Sequence, residues 1–138
     1  MDHTSVVNSG LLEQHFDMIQ ENTPLPPDLK ASFVERNQHP YPLEPELDLD
    51  VKYQLLSQEK VDALQPMDKA SNWKLFDQKF PETVGFIYLS RVGFSDDMNK
   101  ALIYYEQYHY DQPLIGGYTI YTWQDGEWVG EGSLEWMT

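Results

Sequence analysis

Arg91 is the residue of this chain whose type and setting first suggest chemistry. It lies in the middle of a run rich in aromatic and β-branched residues. If Asp96–Asn99 form a four-residue loop, Arg91 faces Tyr104 on the following run, and Glu106 is its diagonal neighbour. Two interpretations stay open for this group. The guanidinium either forms a structural ion pair or stacks on tyrosine, or it binds an anion in a cleft with Tyr104 and Glu106.

Other patterns that would support catalysis or cofactor binding are missing from the sequence. The absence of cysteine excludes thiolate catalysis and cysteine-ligated metals. The four histidines are scattered without ligand spacing, and no phosphate-binding glycine loop, nucleophile elbow or dinucleotide fingerprint occurs. The sequence therefore predicts no catalytic residue, no metal and no cofactor.

The C-terminal half carries more tyrosine than one buried sheet face can hold. Some of these rings are therefore predicted to line a partner-binding surface. The acidic side chains that accompany them complete the predicted partner-binding set: Tyr108, Tyr110, Glu127, Glu131 and Glu135.

The net charge of −14 is spread along the chain. Residues 1–69 hold five basic and thirteen acidic side chains, and residues 70–138 hold four and ten. No basic stripe is available to neutralise phosphates, so direct nucleic-acid binding is disfavoured. The excess charge serves solubility, or it attracts a basic protein; mimicry of nucleic acid by rows of carboxylates is a third possibility.

The elements that must position these residues form a C-terminal antiparallel β-meander. Its predicted strands, separated by turn-forming clusters, are Phe86–Phe94, Ala101–Tyr110, Tyr118–Gln124 and Glu127–Met137.

The Asp125-Gly126 step predicts a two-residue turn. Gln124 then pairs with Glu127, Trp123 with Trp128, and Tyr121 with Gly130. Strict alternation along this last hairpin places the tryptophans on the core and the three glutamates, Glu127, Glu131 and Glu135, towards water.

The first hairpin is predicted to be central and covered on both sides. One face holds Phe86, Tyr88, Val92, Phe94, Ile103 and Tyr105, and the other holds Ile87, Leu89, Arg91, Leu102, Tyr104 and Glu106. A one-residue slip would exchange partners throughout.

The N-terminal half is predicted to be largely helical. Residues 1–10 form a frayed terminus, and helices follow over Leu11–Glu21, from Pro27 to about Arg36–Gln38, from Ser57 and around Trp73–Phe80. Alternating Leu47–Leu55 predicts a fifth, edge strand. Residues 11–138 are thus expected to form a single α+β domain, with helices packed on an antiparallel sheet of four or five strands.

Several of these runs together resemble a family of uncharacterised bacterial domains. The resemblance rests on Trp73-x-x-Phe76, Phe80-Pro81, Leu89-Ser90-Arg91-Val92-Gly93-Phe94, Ala101-Leu102-Ile103-Tyr104 and the Asp125-Gly126-Glu127-Trp128 turn. It covers about residues 45–130 and implies the fold, but it implies no activity and adds no catalytic residue.

No signal peptide and no membrane-spanning apolar run are found in the sequence, so a cytoplasmic protein is expected, although a chain trimmed of a leader would look the same. The leading hypothesis is a small, acidic, non-enzymatic bacterial domain that binds protein, for example by immunity- or antitoxin-like neutralisation of a basic partner. The alternative is a small-molecule-binding or hydrolytic domain with a cleft around Arg91.

Overall fold

The structure, a computed structural model, describes residues 9–39, 41–43, 53–63, 70–109 and 112–137. Within these residues four helices precede the strands: α1 (Ser9–Gln20), α2 (Pro27–Arg36), α3 (Gln58–Asp62) and α4 (Ala70–Lys79). The strands are β1 (Gly85–Leu89), β2 (Gly93–Phe94), β3 (Lys100–His109), β4 (Ile115–Gln124) and β5 (Glu127–Met137). The predicted α+β class, with helices followed by an antiparallel meander, is confirmed.

Proline chemistry places the start of α2 where the sequence predicts it. Pro27 occupies the first turn, where a missing backbone N–H costs nothing, and Asp28 and Arg36 lie at the ends that favour their charges. Leu29 and Phe33 lie on its buried side. This helix therefore presents an apolar stripe to the sheet.

The strand order in the sheet is β1-β3-β4-β5, and β2 pairs with β3 beyond the end of β1. The prediction of one continuous strand over Phe86–Phe94 is wrong. β1 pairs with β3 from Gly85↔His109 to Leu89↔Tyr105, whereas Gly93 pairs with Leu102, so the register changes by one residue between them.

One side of the sheet, which we call the inner face, packs against the helices in two clusters. The first joins α1 and α2 to β3 and β4; its buried members are Phe16, Ile19, Leu25, Leu29, Phe33, Leu102, Tyr104, Tyr118 and Ile120. The second lies near β1 and contains Leu56, Trp73 and Phe76, with Phe86, Tyr88 and Tyr108 packed against them. The two clusters leave the opposite side of the sheet, the outer face, turned away from the helices.

The register change corrects the predicted faces of the first hairpin. Phe86 and Tyr88 share the inner face with Tyr104 and Glu106, because Phe86 pairs with Tyr108 and Tyr88 pairs with Glu106. Ile103 and Tyr105, two positions apart, lie on the outer face. Along β1, the residues predicted for one face of the hairpin therefore lie on the other.

The last hairpin confirms its predicted pairing. Gln124 pairs with Glu127, Trp123 with Trp128 and Tyr121 with Gly130. The turn residues Asp125 and Gly126 have φ of 51° and 86°, as a type I′ turn requires.

The predicted faces of this hairpin are wrong, because a β-bulge interrupts the alternation. Ile120 pairs with Gly132 while Tyr121 pairs with Gly130, which leaves Glu131 as the additional residue. Trp136 therefore packs on the inner face, whereas Trp123 and Trp128 lie on the outer face and are 44% and 39% exposed.

Tertiary contacts hold the bulge in place. The Glu131 carboxylate accepts hydrogen bonds at 2.5 Å from the Lys100 ammonium and from the Thr122 hydroxyl. Hydrogen bonding to Lys100 holds the pKa of Glu131 below its usual value. The side chain of the extra residue, Glu131, thus contacts β3.

Some predicted features fall on residues that the structure does not describe. Residues 1–8 of the predicted frayed terminus, residues 47–52 of the predicted strand Leu47–Leu55, and Tyr110 lie outside the described residues. The remainder of that predicted strand, Tyr53–Leu55, is not in a strand.

Candidate functional site

Arg91 lies in the connection between β1 and β2, and its predicted pairing with Tyr104 is wrong. The Tyr104 C=O accepts from the Ser90 N–H, and the Tyr104 N–H donates to the Ser90 hydroxyl. The Arg91 guanidinium lies instead over the ring of Tyr41, with Cζ 4.0 Å from the ring centroid. The stacking interpretation therefore applies to Arg91, but on a different tyrosine.

Asn37 anchors the backbone of Arg91 to the end of α2. Its Oδ1 accepts from the Arg91 N–H at 2.8 Å, and its Nδ2 donates to the carbonyls of Arg91 and Phe33. Asn37 is buried, so these groups cannot turn to water instead. The contact therefore holds the backbone at the point where the chain leaves the sheet.

We expect Asn37→Ala to lower the free energy of unfolding by about 2–3 kcal/mol, because it orphans buried backbone groups. Urea unfolding followed by circular dichroism measures this. Asn99→Ala is the matched control, because Asn99 is exposed and hydrogen-bonds within its own loop; it should cost about 0.5 kcal/mol or less. Equal costs for the two variants would contradict the anchoring role.

Glu106 and Tyr104, the other two members of the predicted cleft, do meet, on the inner face. The hydroxyls of Tyr104 and Tyr108 donate to the two carboxylate oxygens of Glu106. Burial, with the nearby Glu106 charge, raises the pKa of Tyr88 to about 12. Burial likewise raises the pKa values of Tyr104, Tyr108 and Tyr118.

This inner group places one carboxyl group, hydrogen-bonded by two phenols, among the aromatic rings of the inner face. A tyrosine that acts as a base near neutral pH needs a lowered pKa, and these shifts are in the opposite direction. The phenols therefore remain neutral donors to the carboxylate, and the group stabilises the interior of the sheet.

His15 extends the polar contacts of the inner face to α1. Its Nδ1 lies 3.1 Å from the Tyr118 hydroxyl, and its ring stacks on Trp136 with centroids 4.7 Å apart. Desolvation by burial lowers the pKa of His15. A neutral imidazole can then accept the tyrosine hydrogen bond and dock α1 on the sheet.

The predicted partner-binding residues do not form one surface. Tyr108 lies on the inner face, and Tyr110 lies outside the described residues. Glu127 and Glu131 share the inner side at the hairpin end, while Glu135 lies on the outer face. The bulge at Glu131 causes this division, because alternation reverses across it.

The outer face carries a set of aromatic side chains that alternation, combined with the bulge, brings together. Trp123 and Trp128 contact each other edge to face at 5.2 Å, and Trp128 approaches Phe94 at 6.0 Å. Tyr121 lies two residues before Trp123 on β4, and Tyr105 lies farther along the same face on β3, where it pairs with Gly117. We call these five residues the outer aromatic surface.

Glu135 adds a carboxylate to this surface. The Tyr105 hydroxyl donates to Glu135 Oε1 across β4. Burial, this hydrogen bond and the adjacent charges of Glu135 and Tyr121 raise the pKa of Tyr105 to about 12. The outer face thus carries an exposed carboxylate beside the half-buried Tyr105 ring and, farther along the strands, two exposed tryptophan rings. Carboxylates and aromatic rings are both groups that bind cationic side chains.

A groove of about 460 Å³ lies beside the outer edge of β1. Its lining is mainly apolar. It includes Phe76 of α4, Phe80 just after that helix, Tyr53, and β1 as far as Leu89. Arg91 is not among the lining residues, so this groove is not the predicted Arg91 cleft.

The part of the chain that the structure describes shows no cluster of three or more side chains able to hold a metal ion. None of its helices has the length and apolarity needed to cross a bilayer. The resemblance to uncharacterised bacterial domains stays a prediction. No family model, curated protein or solved structure matches this chain.

Proposed function

We propose that this protein is a non-enzymatic binding module that receives a basic protein partner on its outer aromatic surface. The observation that carries the proposal is the exposure of Trp123 and Trp128, at 44% and 39%, on the face turned away from the helices. Tryptophan and tyrosine are enriched among the few interface residues that carry most of the binding energy, because they bury large areas at low entropic cost.

Charge supports a basic partner. The chain carries 23 acidic and nine basic side chains, and Glu135 accepts a hydrogen bond from Tyr105 of the outer aromatic surface. Long-range attraction between an acidic protein and a basic partner accelerates their association and disfavours acidic competitors. Neutralisation of a basic bacterial protein in the cytoplasm, as immunity proteins and antitoxins achieve, is one concrete form of the proposal.

The test is capture of a basic protein from a lysate of the source cells, followed by its identification and measurement with purified components. We expect a partner with an isoelectric point above about 9 whose affinity falls at least tenfold between 50 and 300 mM salt, since ionic strength screens the attraction.

The variant pair Trp123→Ala/Trp128→Ala and Tyr53→Ala locates the binding surface. The tryptophan variant should lose about 100-fold in affinity, as removal of two interface anchors does, and Tyr53→Ala, 40% exposed at the groove, should bind normally. Loss of binding in Tyr53→Ala alone would overturn the proposal and favour the groove beside β1.

A further inference from the structure

A row of three residues crosses the outer face from β3 to β5. Tyr105 pairs with Gly117, and Gly117 pairs with Glu135. A Cβ on Gly117 would lie 3.0 Å from the Tyr105 hydroxyl oxygen and 3.1 Å from Glu135 Cγ. The Tyr105 and Glu135 side chains therefore lean over the glycine and meet above it. We call this row the Glu135 notch.

The hydrogen bond from Tyr105 orients the carboxylate of the Glu135 notch. It occupies Oε1, and a carboxylate offers about four lone-pair directions over its two oxygens. The second oxygen can therefore accept from a ligand without breaking the bond to Tyr105. An acceptor held in one orientation loses less entropy on binding than a free surface glutamate does.

One further aromatic side chain lies near the notch. Tyr121 is close enough for its charge to affect the ionisation of Tyr105. The Trp123–Trp128 pair lies on the same face but six residues farther along β4 from Gly117. The protein itself contains two contacts between a guanidinium and an aromatic ring. The Arg91 guanidinium lies 4.0 Å from the Tyr41 centroid, and that of Arg36 lies 5.6 Å from the Phe94 centroid.

We infer that the Glu135 notch is a receptor for an arginine side chain of the partner. This inference rests on the proposed function and adds the chemistry that the surface recognises. A guanidinium is planar, donates two parallel hydrogen bonds to one carboxylate and stacks on aromatic rings. A lysine ammonium is a compact, strongly hydrated charge that cannot use the rings and the carboxylate together in this way.

The test is a titration of ¹⁵N-labelled protein with blocked arginine (N-acetyl-L-arginine methylamide) and with blocked lysine of equal charge. We expect arginine-induced shifts at the amides of Gly116, Gly117 and Glu135, with a dissociation constant on the order of 10 mM. Lysine should bind at least about fivefold more weakly, because it forms no bidentate contact.

Three variants separate site binding from general charge attraction. Glu135→Gln should weaken arginine binding about tenfold, as loss of a charge-assisted hydrogen bond does. Tyr105→Phe, which keeps the charge and frees the carboxylate, should weaken it about threefold. Glu127→Gln, with the same charge change at the exposed hairpin end, should bind arginine like the wild type.

Equal binding of arginine and lysine, or equal losses in Glu135→Gln and Glu127→Gln, would overturn the inference. Thermal melts confirm folding of each variant, and Tyr105→Phe provides the test if Glu135→Gln is unstable. If partner binding requires Trp123 and Trp128 but tolerates Glu135→Gln, the inference fails while the proposed function stands. If the purified partner binds elsewhere, the proposed function fails even where blocked arginine occupies the notch.

Discussion

Replacing Gly93 by alanine is expected to lower the free energy of unfolding by about 3 kcal/mol, the upper range for overpacking a core. A Cβ at Gly93 would lie 2.6 Å from Phe33 Cα and 2.7 Å from the Phe33 backbone nitrogen. These are backbone atoms of α2, so the clash cannot be relieved by a side-chain rotation. The helix must move away from β2, and the packing of Phe33 against Tyr118 is lost with it.

Gly130→Ala is the matched control for this substitution. The nearest atom to a Cβ there is Tyr121 Cε1 at 4.0 Å, which is an ordinary contact. We expect a change within about 0.5 kcal/mol, as for a typical surface substitution. Urea unfolding of both variants measures the difference. A loss of less than about 1 kcal/mol in Gly93→Ala would contradict the close approach of α2 to β2.

We expect the protein to unfold as the pH is raised from 10, and to be fully unfolded below pH 12. Burial raises the pKa values of Tyr88 and Tyr105 to about 12, and it also raises those of Tyr104, Tyr108 and Tyr118. In the unfolded chain all five titrate near 10. Above that pH the unfolded state therefore binds fewer protons than the folded state, and stability falls as pH rises.

The free energy of unfolding should fall steeply with pH, because each fully shifted tyrosine contributes about 1.4 kcal/mol per pH unit. Solvent screening reduces the share of the half-exposed rings, Tyr105 above all. Even with that reduction, the five contributions together remove about 5–10 kcal/mol over two pH units, which exceeds the stability of a domain in the lower part of the usual range.

The alkaline transition can be followed by circular dichroism together with tyrosinate absorbance at 295 nm. The two signals should change together, because these phenols ionise as the core opens. Tyr108→Phe removes one of the titrating groups and should reduce the pH slope by about one proton. Tyrosinate that forms fully at pH 10–10.5 while the fold persists would contradict the raised pKa values.

Local chemistry in the sequence determined the elements and the last turn. Pro27 with Asp28 specifies the start of α2, and Asp125-Gly126 specifies the turn and the pairs around it. Each of these depends on backbone preferences within a few residues, which the sequence states directly. The α+β class follows from the order of such elements.

The two register irregularities, in contrast, were decided by distant contacts. At the break after β1, Asn37 binds the Arg91 backbone from 54 positions away, and at the bulge Glu131 binds Lys100, 31 positions away. Because strand side chains alternate with period two, each one-residue change reverses a face. Only the tertiary structure could therefore show that Arg91 does not pair with Tyr104. It alone could also show that Trp123, Trp128 and Glu135 share the outer face.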